Sequence, residues 1–355
     1  MTFTVIQWAT GGVGRGAIQA VRRHPDLELV GCWVHSADKN GRDAGEIAGE
    51  QPIGVAATTS VDELLAMDAD CVVYAPLLPD EQVVTALLRS GKNVVTPVGW
   101  IFPDPARTAG IDAACRDGNA TLHGSGIHPG GITERFPLMV SALSSAVTHV
   151  RAEEFSDIRT YDAPDVIRHL MGFGGSPRQA LAGPIAGALG KGFKASARMV
   201  VHELGLGSAA TIHTRQEVAV AAAPIDSPIG TIEPGQVAAR RLRWEARIGD
   251  RPVVTAAVNW LMGEQDLEPA WTFGPGGQRF EIEITGDPSV LVSFTGLHSE
   301  SVAAGLSHNP GVVATANHCV NAIPYVCRAS PGIKTYLDLP LIAGRAARWR
   351  AKETR

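Results

Sequence analysis

The chain has 355 residues, of which 45% are apolar and 19% charged, and 31 Lys and Arg against 36 Asp and Glu leave a formal charge of -5. That balance excludes a disordered or fibrous protein, and so mild an acidic surplus offers no electrostatic footprint for nucleic acid or an anionic membrane. The length accommodates two domains, each with a core of its own.

Up to Gly124, short apolar runs alternate with helix-like segments, the pattern of a parallel sheet covered by helices on both faces. Strands are predicted at Thr4–Trp8, Leu27–Val34, Cys71–Tyr74, Asn93–Thr96 and Ala120–His123, with helices at Gly14–Arg23, Val61–Leu65, Asp80–Ser90 and Pro105–Arg116. After the Gly/Pro cluster Gly124–Gly131 a helix is predicted over Thr133–Ser145. Strict alternation follows. In Arg241–Ile248 the residues Leu242, Trp244, Ala246 and Ile248 share a dry face, and Arg241, Arg243, Glu245 and Arg247 a wet one. Gly249-Asp250 joins this strand to Pro252–Trp260 as a hairpin, and Phe280–Ile284 with Val290–Phe294 forms a second, so an antiparallel sheet is expected. Gly172–Lys191 lacks clear periodicity and reads as a mobile loop or short helical lid, whereas Pro310–Tyr325 reads as a helix packing back on the first domain or the junction. The expected fold class is α/β, with a doubly wound parallel sheet over 1–130, an α+β domain over 131–305 and a returning C-terminal segment over 306–355.

Cys32, Cys71, Cys115, Cys319 and Cys327 are an odd count without C-x-x-C, which suggests reduced thiols in a cytosolic setting and no metal site. Met1–Trp8 lacks the basic and apolar regions of a signal peptide, and the stretch between Glu300 and Arg328 is too polar to span a bilayer. A cytoplasmic location is expected.

Chemistry enters at Val5–Arg15, an apolar strand running into a glycine turn that opens a helix. Read against G-x-G-x-x-G, Ala9 takes the first glycine position, Gly11 the second and Gly14 the third, with Thr10, Gly12 and Val13 between them. Small residues are needed there because a diphosphate must approach main-chain N–H groups at the helix N-terminus. A Rossmann-type dinucleotide domain follows, the alternative being a plain tight turn. Nucleotide choice is set at the tip of the second strand, where an NAD-preferring site places an acid on the ribose. Here the tip carries Ser36, Lys39 and Arg42, which suit a 2′-phosphate, so NADP is favoured over NAD, with Asp38 available for the other choice. Ala75 and Pro76 after the third of these strands, and Thr96 and Pro97 after the fourth, lie at strand carboxyl ends, where such sheets bind ligands. Trp100 is either an aromatic wall of the substrate pocket or a packing residue.

Hydride delivery to C=O or C=N requires a proton donor. His128, in the Gly/Pro-rich junction, is the first candidate, since an unperturbed imidazole titrates near pH 6.5. Its alternative role is to fix loop geometry. Glu154 is the second: on a strand it shares a face with Val150 and Ala152, and an apolar setting favours a protonated carboxyl. A buried salt bridge explains Glu154 equally well. Tyr161 and His169 are weaker candidates for lining the substrate pocket, at least one of them expected to be merely a surface residue.

The glycine turn, Ser36-x-x-Lys39, Gly124–Gly130 and Asn321-Ala322-Ile323-Pro324 resemble the dihydrodipicolinate reductase-like family that includes 2,4-diaminopentanoate dehydrogenase and the native amine dehydrogenases. The resemblance implies a Rossmann domain, an α/β second domain, a homodimer, and NAD(P)-dependent interconversion of an amine with an imine or ketone. Amine-forming members of the family carry a glutamate in the loop corresponding to Thr96–Pro103. Val98-Gly99-Trp100 stands here instead, with no carboxylate before Asp104, so the resemblance carries the hydride chemistry further than the amine specificity. A dihydrodipicolinate reductase proper is disfavoured because the histidines after the junction are dispersed. The competing reading is a dinucleotide-binding sensor or an inactive homologue that grips the coenzyme without turnover.

Overall fold

Phe3–Trp8 (β1) is buried along nearly its whole length, as a central parallel strand requires. It runs into Gly12–Arg23 (α1), which turns Gly14, Ala17, Ile18 and Val21 inward at helical spacing. The computed structural model describes residues 2–183 and 185–346, and these divide into two compact units. The last nine residues of the 306–355 segment lie outside the described residues.

The first unit, described over 2–96, 109–123 and 316–346, continues with Leu27–Trp33 (β2), Ala57–Thr58 (β3), Cys71–Tyr74 (β4), Asn93–Thr96 (β5), Thr121–Gly124 (β6) and a late strand, Gly332–Lys334 (β16). Ala44–Ile47 (α2), Val61–Ala66 (α3), Glu81–Arg89 (α4) and Pro105–Asp117 (α5) separate the early strands. They form one sheet in the order β16-β6-β5-β4-β1-β2-β3, with β1 paired in parallel to both β2 and β4. The chain therefore winds outward in both directions from β1, and the carboxyl end of β1 is the topological switch point at which doubly wound sheets bind ligands. Helix Pro310–Val326 adds Ala316, Cys319, Val320, Ala322, Ile323 and Val326 to this unit's core.

The second unit, 97–108 and 124–315, is built on Ser145–Asp157 (β7), Thr211–Ala221 (β8), Val237–Ile248 (β11), Arg251–Leu261 (β12), Leu267–Glu268 (β13), Arg279–Asp287 (β14) and Val290–Phe294 (β15). Ile225–Ser227 (β9) and Gly230–Ile232 (β10) make a separate two-stranded sheet. Both predicted hairpins form, β11 with β12 and β14 with β15. The large sheet, in the order β13-β8-β11-β12-β7-β14-β15, is mixed, however, because β12 pairs in parallel with β7. Only hairpin partners are constrained to run antiparallel, and a long connection separates these two strands. Leu242, Trp244 and Ala246 are fully buried, while Ile248 at the hairpin end is 36% exposed.

Two predicted segments differ. The helix expected over Thr133–Ser145 is a π-helical turn, Gly131–Arg135, followed by Phe136–Ser141 (α6), and Ser145 already belongs to β7. Gly172–Lys191 contains Pro177–Ala182 (α7), opened by a Ser176/Gln179 capping box, and the first turns of Ile185–Glu203 (α8). The helical period of α8 is hidden because contact positions are glycines: a Cβ at Gly192 would stand 2.8 Å from the Pro129 ring, and one at Gly190 3.1 Å from the Trp244 indole nitrogen. No described helix is long and apolar enough to cross a membrane.

Candidate active site

In the first unit the glycine turn behaves as its spacing requires. A Cβ on Gly14 would fall 2.1 Å from the Ala9 carbonyl oxygen, so only glycine lets α1 pack this closely on the end of β1. A Cβ on Gly11 would meet nothing within 4 Å, which leaves open space where a diphosphate would lie against the first N–H groups of α1. Ala9 adopts φ 71°, the left-handed conformation that the fingerprint reserves for glycine, and Gln7 Nε2 donates to its carbonyl at 2.8 Å. Thr10 is buried, Gly12 exposed and Val13 half-buried.

The tip of β2 returns to this turn. Lys39, closing the short 3-10 turn Ala37–Lys39 that follows Ser36, donates from Nζ to Thr10 Oγ1 at 3.3 Å. Asp38 and Arg42 are exposed. Asp43 is committed to structure: burial works against its charge, but N–H groups of Ile53, Gly45, Gly54 and Glu46 outweigh this and hold its carboxyl below the usual range. At the carboxyl end of β4, Ala75 donates its N–H to the Trp8 carbonyl, and Ala75 and Pro76 are half-buried. Thr96 is buried at the end of β5. The turn and the β2 tip thus fit a dinucleotide: a cradle free of side chains and a cation beside it.

The second unit gathers polar groups at the carboxyl ends of β7 and β12. Glu154 and Ser156 lie on one face of β7, and Trp260 stands opposite Ser156 in the parallel register. Glu154 Oε1 accepts from Ser156 Oγ at 2.7 Å and from Trp260 Nε1 at 3.0 Å. Its Oε2 stands 3.8 Å from His128 Nε2. Ser156 Oγ also lies 2.9 Å from His298 Nε2. Burial raises the Glu154 carboxyl above the ordinary range, with the hydrogen bonds from Ser156 and Trp260 opposing it. Burial, then the Glu154 charge, raises Tyr161 as well.

His128 follows Ile127 in the glycine-rich junction and precedes a cis Pro129. Its ring packs edge-on against Phe193 and Phe280, and Nε2 reaches the Ala257 carbonyl at 3.3 Å. Burial pushes it down to about 3, so the ring is neutral near pH 7 and the expectation that it titrates near neutrality is corrected. The arginine partner considered for Glu154 belongs to its neighbour: Glu153, on the opposite face, bonds Arg151 and Asn259. Trp100 adopts φ 51° and is half-buried, Tyr161 is half-buried, and His169 is a surface residue in the π-helical turn Val166–Leu170. Sequence reasoning missed Ser156, Trp260 and His298. The i, i+2 spacing of Glu154 and Ser156 on a strand was the available signal; nothing local marks His298.

The model of the 2,4-diaminopentanoate dehydrogenase C-terminal domain matches residues 133–354, and that of the dihydrodipicolinate reductase N-terminus matches residues 4–96. The chain belongs to the 2,4-diaminopentanoate dehydrogenase family. An amine dehydrogenase of Streptomyces virginiae is 31% identical, with 96% of this chain and 97% of the relative covered. The 2,4-diaminopentanoate dehydrogenase of Acetoanaerobium sticklandii is 23% identical over 72% of this chain and 66% of its own. Among solved structures, the amine dehydrogenase of Mycobacterium smegmatis shares the fold with a TM-score of 0.76 at 20% identity, covering 97% of this chain and 98% of that one. As a member of this family the chain is an NAD(P)-dependent oxidoreductase with an N-terminal nicotinamide-dinucleotide fold.

Proposed function

We propose that this enzyme interconverts an amine and the corresponding imine or carbonyl compound, with NADP(H) preferred to NAD(H) and Glu154 as the proton-carrying group. Coenzyme binding is assigned to residues 1–130 and substrate binding, with assembly as a homodimer, to 131–305, in a cytoplasmic protein. The reading rests above all on Glu154, a carboxyl only 14% exposed and set beside His128.

When bound, the nicotinamide supplies or takes up the hydride. The N–H groups of Gly12, Val13 and Gly14 would hold the diphosphate, and Lys39, with Ser36 and Arg42 nearby in sequence, would neutralise a 2′-phosphate. Glu154, whose burial keeps it protonated to higher pH than a free carboxyl, gives its proton to the nitrogen or oxygen on which negative charge develops during reduction, and recovers it during oxidation. Once ionised, the same carboxylate attracts a cationic amine. Both the amine dehydrogenase and the diaminopentanoate dehydrogenase named above support an amine substrate. A neutral His128 forms part of the aromatic wall beside the carboxyl, in place of the donor role the sequence favoured for it.

Calorimetric titration with NADPH and NADH, followed by turnover of a ketone and aldehyde panel with and without ammonium, tests the proposal. Binding of NADPH ahead of NADH and ammonium-dependent oxidation of NADPH are expected, with Glu154→Gln still binding the coenzyme but not turning over. Coenzyme binding without turnover of any carbonyl would favour a sensor instead.

A further inference from the structure

We propose that His298, acting through Ser156, is a positioning residue that confines the acidic proton of Glu154 to Oε2, the oxygen facing His128. The inference rests on the reading of Glu154 as the proton-carrying group, and it concerns which of two oxygens carries the proton.

Ser156 Oγ has one hydrogen and two neighbours, Glu154 Oε1 at 2.7 Å and His298 Nε2 at 2.9 Å. Two arrangements satisfy it. In the first, His298 donates from Nε2 to Ser156 and Ser156 donates to Oε1. In the second, Oε1 carries the carboxyl proton and donates to Ser156, and Ser156 donates to His298. The second leaves His298 with its hydrogen on Nδ1, which is buried and has no partner among the described residues. A buried N–H without an acceptor is rare, whereas a bare ring nitrogen as an unused acceptor is more readily tolerated. The first arrangement therefore holds. Oε1 then receives two donors, Ser156 and Trp260, and the proton of the neutral carboxyl sits on Oε2.

Packing keeps His298 in that role. Its ring lies 4.9 Å from Phe280, which also lies 5.5 Å from the His128 ring, so one phenylalanine neighbours both imidazoles. No charged side chain forms an ion pair with His298 among the described residues.

Two experiments test this. The first needs no substrate: in protein carrying ¹⁵N-labelled histidine, the His298 resonances, assigned by their loss in His298→Gln, should report a neutral ring protonated at Nε2. A ring protonated at Nδ1 alone, or at both nitrogens at pH 7, would overturn the proposal. The second uses the carbonyl and ammonium panel with NADPH. His298→Leu and Ser156→Ala should each lower kcat about tenfold with KM little changed, and His298→Gln, which restores an N–H near the Nε2 position, should recover most of it. Equal loss in His298→Leu and His298→Gln would reduce His298 to a packing residue. If Glu154→Gln remained active, the assignment of Glu154 would itself fail; if Glu154→Gln were inactive and His298→Leu unimpaired, the relay alone would fail.

Discussion

Gly14 lies so close to Ala9 that a Cβ added at 14 would stand 2.1 Å from the Ala9 carbonyl oxygen, while a Cβ at Gly11, three residues earlier, would touch nothing. The two glycines of one turn therefore do different work. Gly14→Ala is expected to destabilise the fold by about 3 kcal/mol, as overpacking does. Gly11→Ala should melt like the wild type, because its Cβ enters empty space, yet bind NADPH at least tenfold more weakly, because that space is where the diphosphate approaches the helix N-terminus. Thermal denaturation paired with calorimetry separates the two effects. Equal coenzyme affinity in Gly11→Ala and wild type would remove the turn from the binding site.

Lys39 reaches back from the β2 tip to Thr10 in the same turn. A cation held at that place acts on a phosphate ester at the ribose and has little to act on when the ester is absent. Lys39→Ala should weaken NADPH binding about tenfold or more and leave NADH nearly unchanged. The ratio of the two dissociation constants is the readout. A parallel loss for both coenzymes would place Lys39 on the diphosphate and withdraw the NADP preference.

How far the sequence could be read differs between the units for a physical reason. In the first, each strand and the turn after it are contiguous in the chain, so the apolar run into Ala9-Thr10-Gly11-Gly12-Val13-Gly14 announces both β1 and its ligand. In the second, the groups around Glu154 come from β7, β12, the junction and the segment after β15, and only the fold joins them. Alternation revealed β11 and its hairpin, but the parallel pairing of β12 with β7 has no local signature. Burial is likewise a property of the assembled unit. His128 looked like a group titrating near neutrality until Phe193 and Phe280 enclosed it.

Proton transfer by Glu154 has a pH signature. Reduction needs the protonated carboxyl, so kcat for carbonyl reduction should fall as pH rises through a pKa lying above the ordinary carboxylate range. Glu154→Gln should lower turnover by about a hundredfold or more and abolish that limb. His128→Ala should lower kcat while preserving both the limb and the coenzyme affinity, since a ring with a pKa near 3 contributes no ionisation in this range. Loss of the limb in His128→Ala, with its retention in Glu154→Gln, would return the acid role to the histidine.

Glu134, fully buried in the π-helical turn, gives stability its own pH dependence. Burial pushes its carboxyl up to about 8 against an ordinary value of 4.5, with Ser196, the Gly130 N–H and Thr133 opposing the shift. The folded state thus holds a proton that the unfolded chain releases. Its contribution is fully present below pH 4.5, is lost progressively as pH rises, and is gone above about 8. The buried histidines act in the opposite sense: His128, pushed to about 3, and His298, to about 4, lose stability only as pH falls below 6.5. Between pH 6.5 and 8 the slope therefore belongs to Glu134 among these three groups, at up to about 1.4 kcal/mol per pH unit for one proton. Denaturant melts across that window should show stability falling with pH in the wild type and a flatter profile in Glu134→Gln, whose amide keeps an acceptor for the Gly130 N–H without titrating. Identical slopes in the two proteins would mean that Glu134 is already ionised in the folded state.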